Sequence, residues 1–319
     1  MKSDREVLER FANILAEYQT YSSTAYDNLR IENKPSRSVL SRICGSWGRA
    51  VEEANRLQRH TDIRILRQQV EDLAKSLQTA TLCLEGTEHL FGIVSDTHFG
   101  SLFADVGLLR NAYQIFNSRK VHTVFHIGDI LDGQRVYKGH EFEVLESGAD
   151  GQIDLCVHQY PQYNSITTYF INGNHDRSFW KRSGFDIGPK ISMKRSDLVY
   201  LGFQEVDVKL GDPDTHQATV RLFHPEDGSA YAISYKGQRY VSELSSVVKP
   251  DLLIMGHYHK SEFLYYQDCA IIQAGCLQKQ TPFMRGRRLS AALGFWIVKL
   301  VTNENGIAHI APEFFVGRG

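Results

Sequence analysis

The sequence predicts an α/β protein preceded by a small all-α region, and three observations carry that prediction. Residues 1 to about 85 show helical periodicity and almost no strand signal. From residue 90 onward, short β-rich runs alternate with loops and helical patterns. Several of those runs give out into a polar or metal-type residue beside Gly or Pro, and strand ends are where α/β sheets place their sites.

The helical region reads as two parts, a helix-turn-helix-like domain over 1–60 and a linker helix over 61–85. Ser3 and Glu6 form a capping-box pattern, after which Val7, Leu8, Phe11, Ile14, Leu15 and Tyr18 follow helical spacing. After Pro35 one helix carries Val39, Leu40 and Ile43, and the next carries Trp47, Ala50, Val51, Ala54 and Leu57. "CGSW" between them is a Gly-containing turn. Residues 30–67 hold nine Lys/Arg against four Asp/Glu, a local excess of +5. Arg37, Arg42, Arg49 and Arg56 are candidates there for phosphate contact with nucleic acid. Ile63, Leu66, Val70, Leu73 and Leu77 recur at heptad spacing over two heptads, so residues 61–78 are either a linker helix packed on its own domain or a homodimer seam.

Residues 86–319 read as a second, larger domain. Its strand candidates are "LFGIVSD", "HTVFHIGD", "TTYFING", "TVRLFHP", "DLLIMGH" and "CAIIQAG", with "GFWIVKLV" as a further strand. The whole chain has a formal net charge of −1, so no overall field argues for nucleic acid or membrane. Five scattered cysteines without a C-x-x-C pair favour free thiols in a reducing compartment. The N-terminus has no apolar h-region, and the longest apolar run, "AALGFWIVKLV", is too short to span a bilayer. The expectation is a soluble, cytoplasmic protein without a membrane partner.

The chemistry lies at five strand ends. In chain order they offer Asp96 and His98; Asp129 in "GDILDG"; Asn174, His175 and Asp176 in "GNHD"; His224 in "LFHP"; and His257 and His259 in "GHYH". Each alone is an ordinary turn or surface pair, and the argument rests on their coincidence. In extended backbone residues i and i+2 face one side, so both members of D-x-H or H-x-H reach one point. Seven candidate ligands exceed one tetrahedral metal and suit two adjacent ions with a shared carboxylate. Carboxylate with imidazole and no thiolate points to Mn²⁺ first, with Fe, Zn²⁺ or Mg²⁺ as alternatives. Two-metal hydrolases use such a pair to clamp both oxygens of an in-line displacement. Asp132, the second acid of "GDILDG", is either a partner of a ligand histidine or a helix N-cap.

D-x-H, G-D-x-x-D, G-N-H-D, a lone His and G-H-x-H, in this order, resemble the signature of the calcineurin-like metallophosphoesterases, over about residues 90–319. The resemblance implies a four-layer α/β/β/α sandwich. It assigns Asp96, His98, Asp129 and His259 to one metal ion, and Asp129, Asn174, His224 and His257 to the other, with Asp129 bridging. It also implies that His175 faces the leaving group and that Asp176 pairs with it.

The substrate is less legible. Residues 177–200 interleave basic and aromatic side chains, and Arg177, Trp180, Lys181 and Arg182 are candidates for substrate binding, a solvated amphipathic helix being the ordinary alternative. "RGRR", Arg285 to Arg288, is a second basic cluster. "YKGHEFE", "TTYFINGNHD", "GHYHK" and "QTPFMR" resemble phosphoesterases carried by bacteriophages and prophages. "RSVLSRICGSWGRAVEEAN" is similar to a small helical repeat found beside homing endonucleases. Together these favour a phosphodiesterase or nuclease acting on nucleic acid or nucleotides. A phosphomonoesterase on phosphoprotein or a small metabolite, and a metal-bearing DNA-binding adaptor, are the alternatives.

Overall fold

The computed structural model describes residues 3–18, 22–57, 82–212, 218–245 and 248–317. The chain divides into two units, Met1–Gln78 and Thr79–Gly319.

The first unit is all helical: α1 (Asp4–Tyr18), α2 (Ser23–Asn28), α3 (Arg37–Cys44) and α4 (residues 47–57). The capping box forms as expected, with Glu6 N–H donating to Ser3 Oγ (3.3 Å) and Ser3 N–H donating to the Glu6 carboxylate (2.8 Å). Gly45 sits in the left-handed region (φ 84°) and ends α3, and the Ser46 hydroxyl accepts from Arg49 N–H (3.3 Å) to start α4. The core packs Phe11, Tyr26 and Trp47 ring on ring, 5.1–5.2 Å apart, over Leu15, Leu40 and Ala50. Arg37 pairs with Asp27 (3.1 Å) and Arg56 with Glu53 (3.0 Å), while Arg42 and Arg49 are exposed. The heptad seam, and with it the dimer expectation for 61–78, lies outside the described residues.

The second unit runs β1 (Cys83–Leu84), β2 (Glu88–Val94), α5 (Val106–Ser118), β3 (Thr123–Ile127), α6 (Ala149–Gln159), β4 (Thr167–Asn172), α7 (Arg177–Ser183), α8 (Ile187–Lys194), β5 (Leu198–Phe203), β6 (Glu205–Leu210), β7 (Ala218–Phe223), α9 (Tyr235–Glu243), β8 (Leu252–Met255), β9 (Ser261–Tyr266), β10 (Cys269–Ala274), α10 (Pro282–Gly286), β11 (Gly294–Asn303) and β12 (Gly306–Val316). All seven expected strands form. The range read as a linker helix ends instead in β1, which pairs with β6.

The strands build two six-stranded sheets, in the orders β12-β11-β2-β3-β4-β5 and β1-β6-β7-β8-β10-β9. Phe91, Ile93, Phe125 and Ile127 of the first sheet pack on Val220, Leu222, Ile254 and Ile272 of the second, all fully buried. The first sheet's other face is covered by α5, α6, α7 and α8 through Tyr113, Phe116, Cys156, Phe179 and Ile191. Val241 of α9 packs on Leu253 and Ile271 of the second sheet. This is an α/β/β/α sandwich. β2, β3 and β4 run parallel in neighbouring positions, as do β7 and β8. Their carboxyl ends therefore deliver their loops to shared edges of the two facing sheets. Among the described residues no helix is long and apolar enough to cross a membrane.

Candidate metal centre

The structure brings all seven candidate ligands together. Asp96, His98 and His259 present donor atoms within 4.8 Å of one another, and so do Asp129, His224 and His257. The Asp129 Oδ2 atom lies 3.1 Å from His224 Nε2 and 3.9 Å from His98 Nε2, between the two groups. Asn174 Oδ1 is 3.2 Å from His224 Nε2.

The local backbone that delivers them differs from the extended geometry the i, i+2 spacing suggested. Asp96, His98, Asp129, His257 and His259 all have positive φ, between 47° and 74°. β2 ends at Val94, and the chain beyond it turns repeatedly through the left-handed region, which aims alternate side chains inward without a strand. Non-glycine residues there are strained, typically by ~1–3 kcal/mol in sparsely populated regions, and such strain gathers at functional sites. The turns are held by backbone bonds between loops: Asp96 N–H donates to Gly128 O (3.1 Å) and His98 N–H to Asp129 O (3.0 Å). Packing is tight enough to demand glycine at 173, where a Cβ would lie 2.2 Å from Asp129 Oδ1 and 2.7 Å from His224 Nε2.

These residues fit divalent ions. Asp96 Oδ1 and His98 Nε2 are buried and make no hydrogen bond, an unfavourable state for atoms that lack a ligand. Three of the histidines have their second nitrogen held by an oxygen, the arrangement that fixes tautomer and ring orientation in metal sites. His98 Nδ1 meets Asp132 Oδ1 (3.1 Å), His224 Nδ1 meets Ile127 O (2.6 Å), and His257 Nε2 meets Asp227 O (2.8 Å).

Asp132 is thus the partner of a candidate ligand histidine. Its other oxygen takes His140 Nε2 at 3.0 Å. Burial works to raise its carboxyl, but the hydrogen bonds from His140 and His98 outweigh burial and hold it at about 2. His140 was not among the sequence candidates. It is fully buried at the start of a 3₁₀ turn, His140–Phe142, and no strand-end pattern marks it.

His175 lies beside the candidate ligands, its ring edge-on to that of His98 with centroids 4.5 Å apart. Its Nδ1 meets the backbone oxygen of Asp132 (2.6 Å). Burial lowers its imidazole to about 4, so the ring is neutral near pH 7. The expected pairing with Asp176 is not there. The Asp176 carboxylate instead accepts from the backbone N–H of Gly173 (2.7 Å), Leu131 (2.9 Å) and Ile130 (3.2 Å), tying the GNHD turn to the loop after β3. Three amide donors occupy the carboxylate's oxygens, and the His175 imidazole takes the Asp132 carbonyl in its place.

A cavity of about 510 Å³ opens over the cluster, lined by His98, Asp129, Asn174, His175, His257 and His259 and also by Tyr137, Phe283, Met284 and Arg287. The basic stretch after GNHD does not line it. Arg177 and Lys181 reach Glu226 at 3.2 and 3.7 Å, and Arg182 donates to the carbonyls of Gln134 and Arg135. Trp180 is 56% exposed and lines a separate cavity of about 220 Å³. None of these four lines the cavity over the cluster; α7 turns its basic groups onto neighbouring loops. From the second basic cluster, Arg287 does reach the cavity.

A family model described as the calcineurin-like phosphoesterase superfamily domain matches residues 90–293. A search of curated proteins returned no match. Similar solved structures include an archaeal phosphodiesterase, 17% identical with a TM-score of 0.40, over 71% of this chain and 99% of that one. A predicted phosphoesterase from Streptococcus pneumoniae is 13% identical with a TM-score of 0.35, over 72% and 99%. Vacuolar protein sorting 29 from Cryptosporidium parvum is 14% identical with a TM-score of 0.37, over 73% and 100%. The family match spans more than half of the chain and takes in every candidate ligand from Asp96 to His259, so the chain belongs to the calcineurin-like phosphoesterase superfamily.

Proposed function

We propose that the protein hydrolyses phosphodiester bonds of nucleic acid or nucleotides with two divalent metal ions, Mn²⁺ in the first place. The observation that carries this reading is the position of Asp129 Oδ2 between two donor groups, with His175 beside them at the cavity wall. Asp96, His98, Asp129 and His259 would hold one ion, and Asp129, Asn174, His224 and His257 the other. When bound, the ions supply Lewis acidity toward the phosphoryl oxygens and an activated water as nucleophile.

The protein's own groups do the rest. Two carboxylates, Asp96 and Asp129, leave a pair of dications short of neutrality, so the cavity attracts an anionic phosphate. His175 keeps its Nδ1–H on the Asp132 carbonyl and turns Nε2 toward the substrate. The negative charge of the phosphate raises the ring's affinity for a second proton, which Nε2 would take up from solvent and then donate to the departing oxygen. Asp132 holds His98, and thereby one face of the site, through a direct hydrogen bond. Exposed Arg42 and Arg49 of the helical unit support a polyanionic substrate.

The test compares bis-p-nitrophenyl phosphate with p-nitrophenyl phosphate on protein stripped by chelation and reloaded with Mn²⁺. The expected result is metal-dependent turnover that favours the diester. Turnover of the monoester alone would replace this reading with a phosphomonoesterase. Turnover of neither, with DNA binding retained, would leave an adaptor.

A further inference from the structure

From the part of the cavity wall beside His175, we infer that Tyr137, Phe283 and Arg287 form a stacking subsite for one planar, nucleobase-like arm of the phosphodiester. This inference rests on the phosphodiester reading of the same site.

The Tyr137 and Phe283 rings are stacked, with centroids 3.9 Å apart and planes at 21°. The Arg287 guanidinium lies over the Phe283 ring, 4.8 Å from its centroid. The wall adjoins the chemistry, since the Tyr137 ring centre is 6.2 Å from that of His175. All three side chains line the same cavity as His98, Asp129 and His175.

The wall is built, and the latch is Glu143. This carboxylate is buried, accepts the Tyr137 hydroxyl on one oxygen (2.7 Å), and accepts Phe283 N–H on the other (2.8 Å). It thereby fixes two segments far apart in sequence, one after β3 and one at α10. Thr281 caps α10 by accepting from Met284 N–H (3.2 Å), which sets the direction in which Phe283 and Arg287 project. A phosphate needs only the ions and His175. An aromatic and cationic surface beside them has no task for a small phosphate, but it offers a base both a π face and a mobile guanidinium. Arg287 is exposed and can lift from Phe283 to let a base take its place.

The experiment is calorimetric binding of thymidine 5′-monophosphate and of methyl phosphate to the full-length, Mn²⁺-loaded protein. The wild type should bind the nucleotide more tightly by about tenfold or more, the worth of one base–aromatic stack. Phe283→Leu, which keeps an apolar side chain and removes the π face, should bring the two affinities close together. Arg287→Ala, at an exposed position, should narrow the gap in part. Equal affinities in the wild type would overturn the subsite, and so would a preference that survives Phe283→Leu. Absence of aryl diester turnover would strike the hydrolase reading instead, whatever the binding ratio.

Discussion

His175 hangs from the main chain of Asp132, its Nδ1 2.6 Å from that carbonyl oxygen, while the Asp132 carboxylate is taken up by His98 and His140. A carbonyl only accepts, so the tautomer of His175 is set by backbone, and its Nε2 is the nitrogen available to substrate. His175→Ala should leave metal content unchanged and lower turnover by roughly 10²–10⁴-fold. The loss should be smaller for a good aryl leaving group than for a poor alkyl one. Metal analysis beside kinetics on two leaving groups checks this. A drop in bound metal would make His175 a ligand, which its distance from His98 and Asp129 also permits.

Asp129→Asn should disturb both ions at once. The carboxylate that lies between the donor groups becomes a neutral amide, and one oxygen is lost. Metal content should fall from about two ions per chain toward one or none. Two tightly held ions with full activity in this variant would remove the bridging role.

Asp132→Ala separates the two duties of that residue. The carbonyl that holds His175 survives, but His98 and His140 lose their acceptor. Metal affinity should weaken by about 10–100-fold, the usual consequence of removing the partner of a ligand histidine. A metal titration followed by turnover at saturating metal would show most of the activity returning. Unchanged affinity would show that His98 needs no help.

Asp176→Ala should act on stability rather than on chemistry. It strands three buried N–H groups, each worth ~1–3 kcal/mol when left unsatisfied, for a total loss on the order of 3 kcal/mol or more. Urea unfolding would register it. A variant of wild-type stability with a large loss of turnover would make Asp176 a participant in the chemistry.

Arg42 and Arg49 are exposed, whereas the charges of Arg37 and Arg56 are engaged by Asp27 and Glu53. Changing Arg42 and Arg49 to Glu in the full chain should weaken binding to duplex DNA. The slope of log affinity against log salt should become shallower by up to ~0.9 for each phosphate no longer neutralised. An unaltered slope would remove this face from nucleic-acid binding.

The strands that were legible in the sequence are the more deeply buried ones. "DLLIMGH" and "CAIIQAG" become β8 and β10, whose side chains are buried throughout. β9 and β12 escaped notice because their side chains are half exposed, and β12 carries Pro312, tolerable only at its edge position. The candidate ligand set was readable because metal chemistry demands particular residue types, and the structure gathers those residues. The conformation that presents it was not, since the enrichment of Asp and His in left-handed backbone is too weak to mark five particular positions. His140 and Glu143 were invisible for a related reason: each matters through a partner brought close only by the fold. The ion pairs of the basic stretch after GNHD could not be read in advance, because its counter-charge, Glu226, lies about fifty residues downstream.

Five of the seven candidate ligands sit where the main chain would prefer glycine or asparagine. If these residues hold ions, that role would keep aspartate and histidine there although glycine would be less strained. In a lineage released from catalysis the preference would have nothing opposing it. Drift at positions 96, 98, 129, 257 and 259 would then run toward glycine and asparagine, with the sandwich intact. The same reasoning limits transplantation: grafting this ligand set onto the strand ends of another protein, without its turns, would place the right atoms on the wrong trajectories.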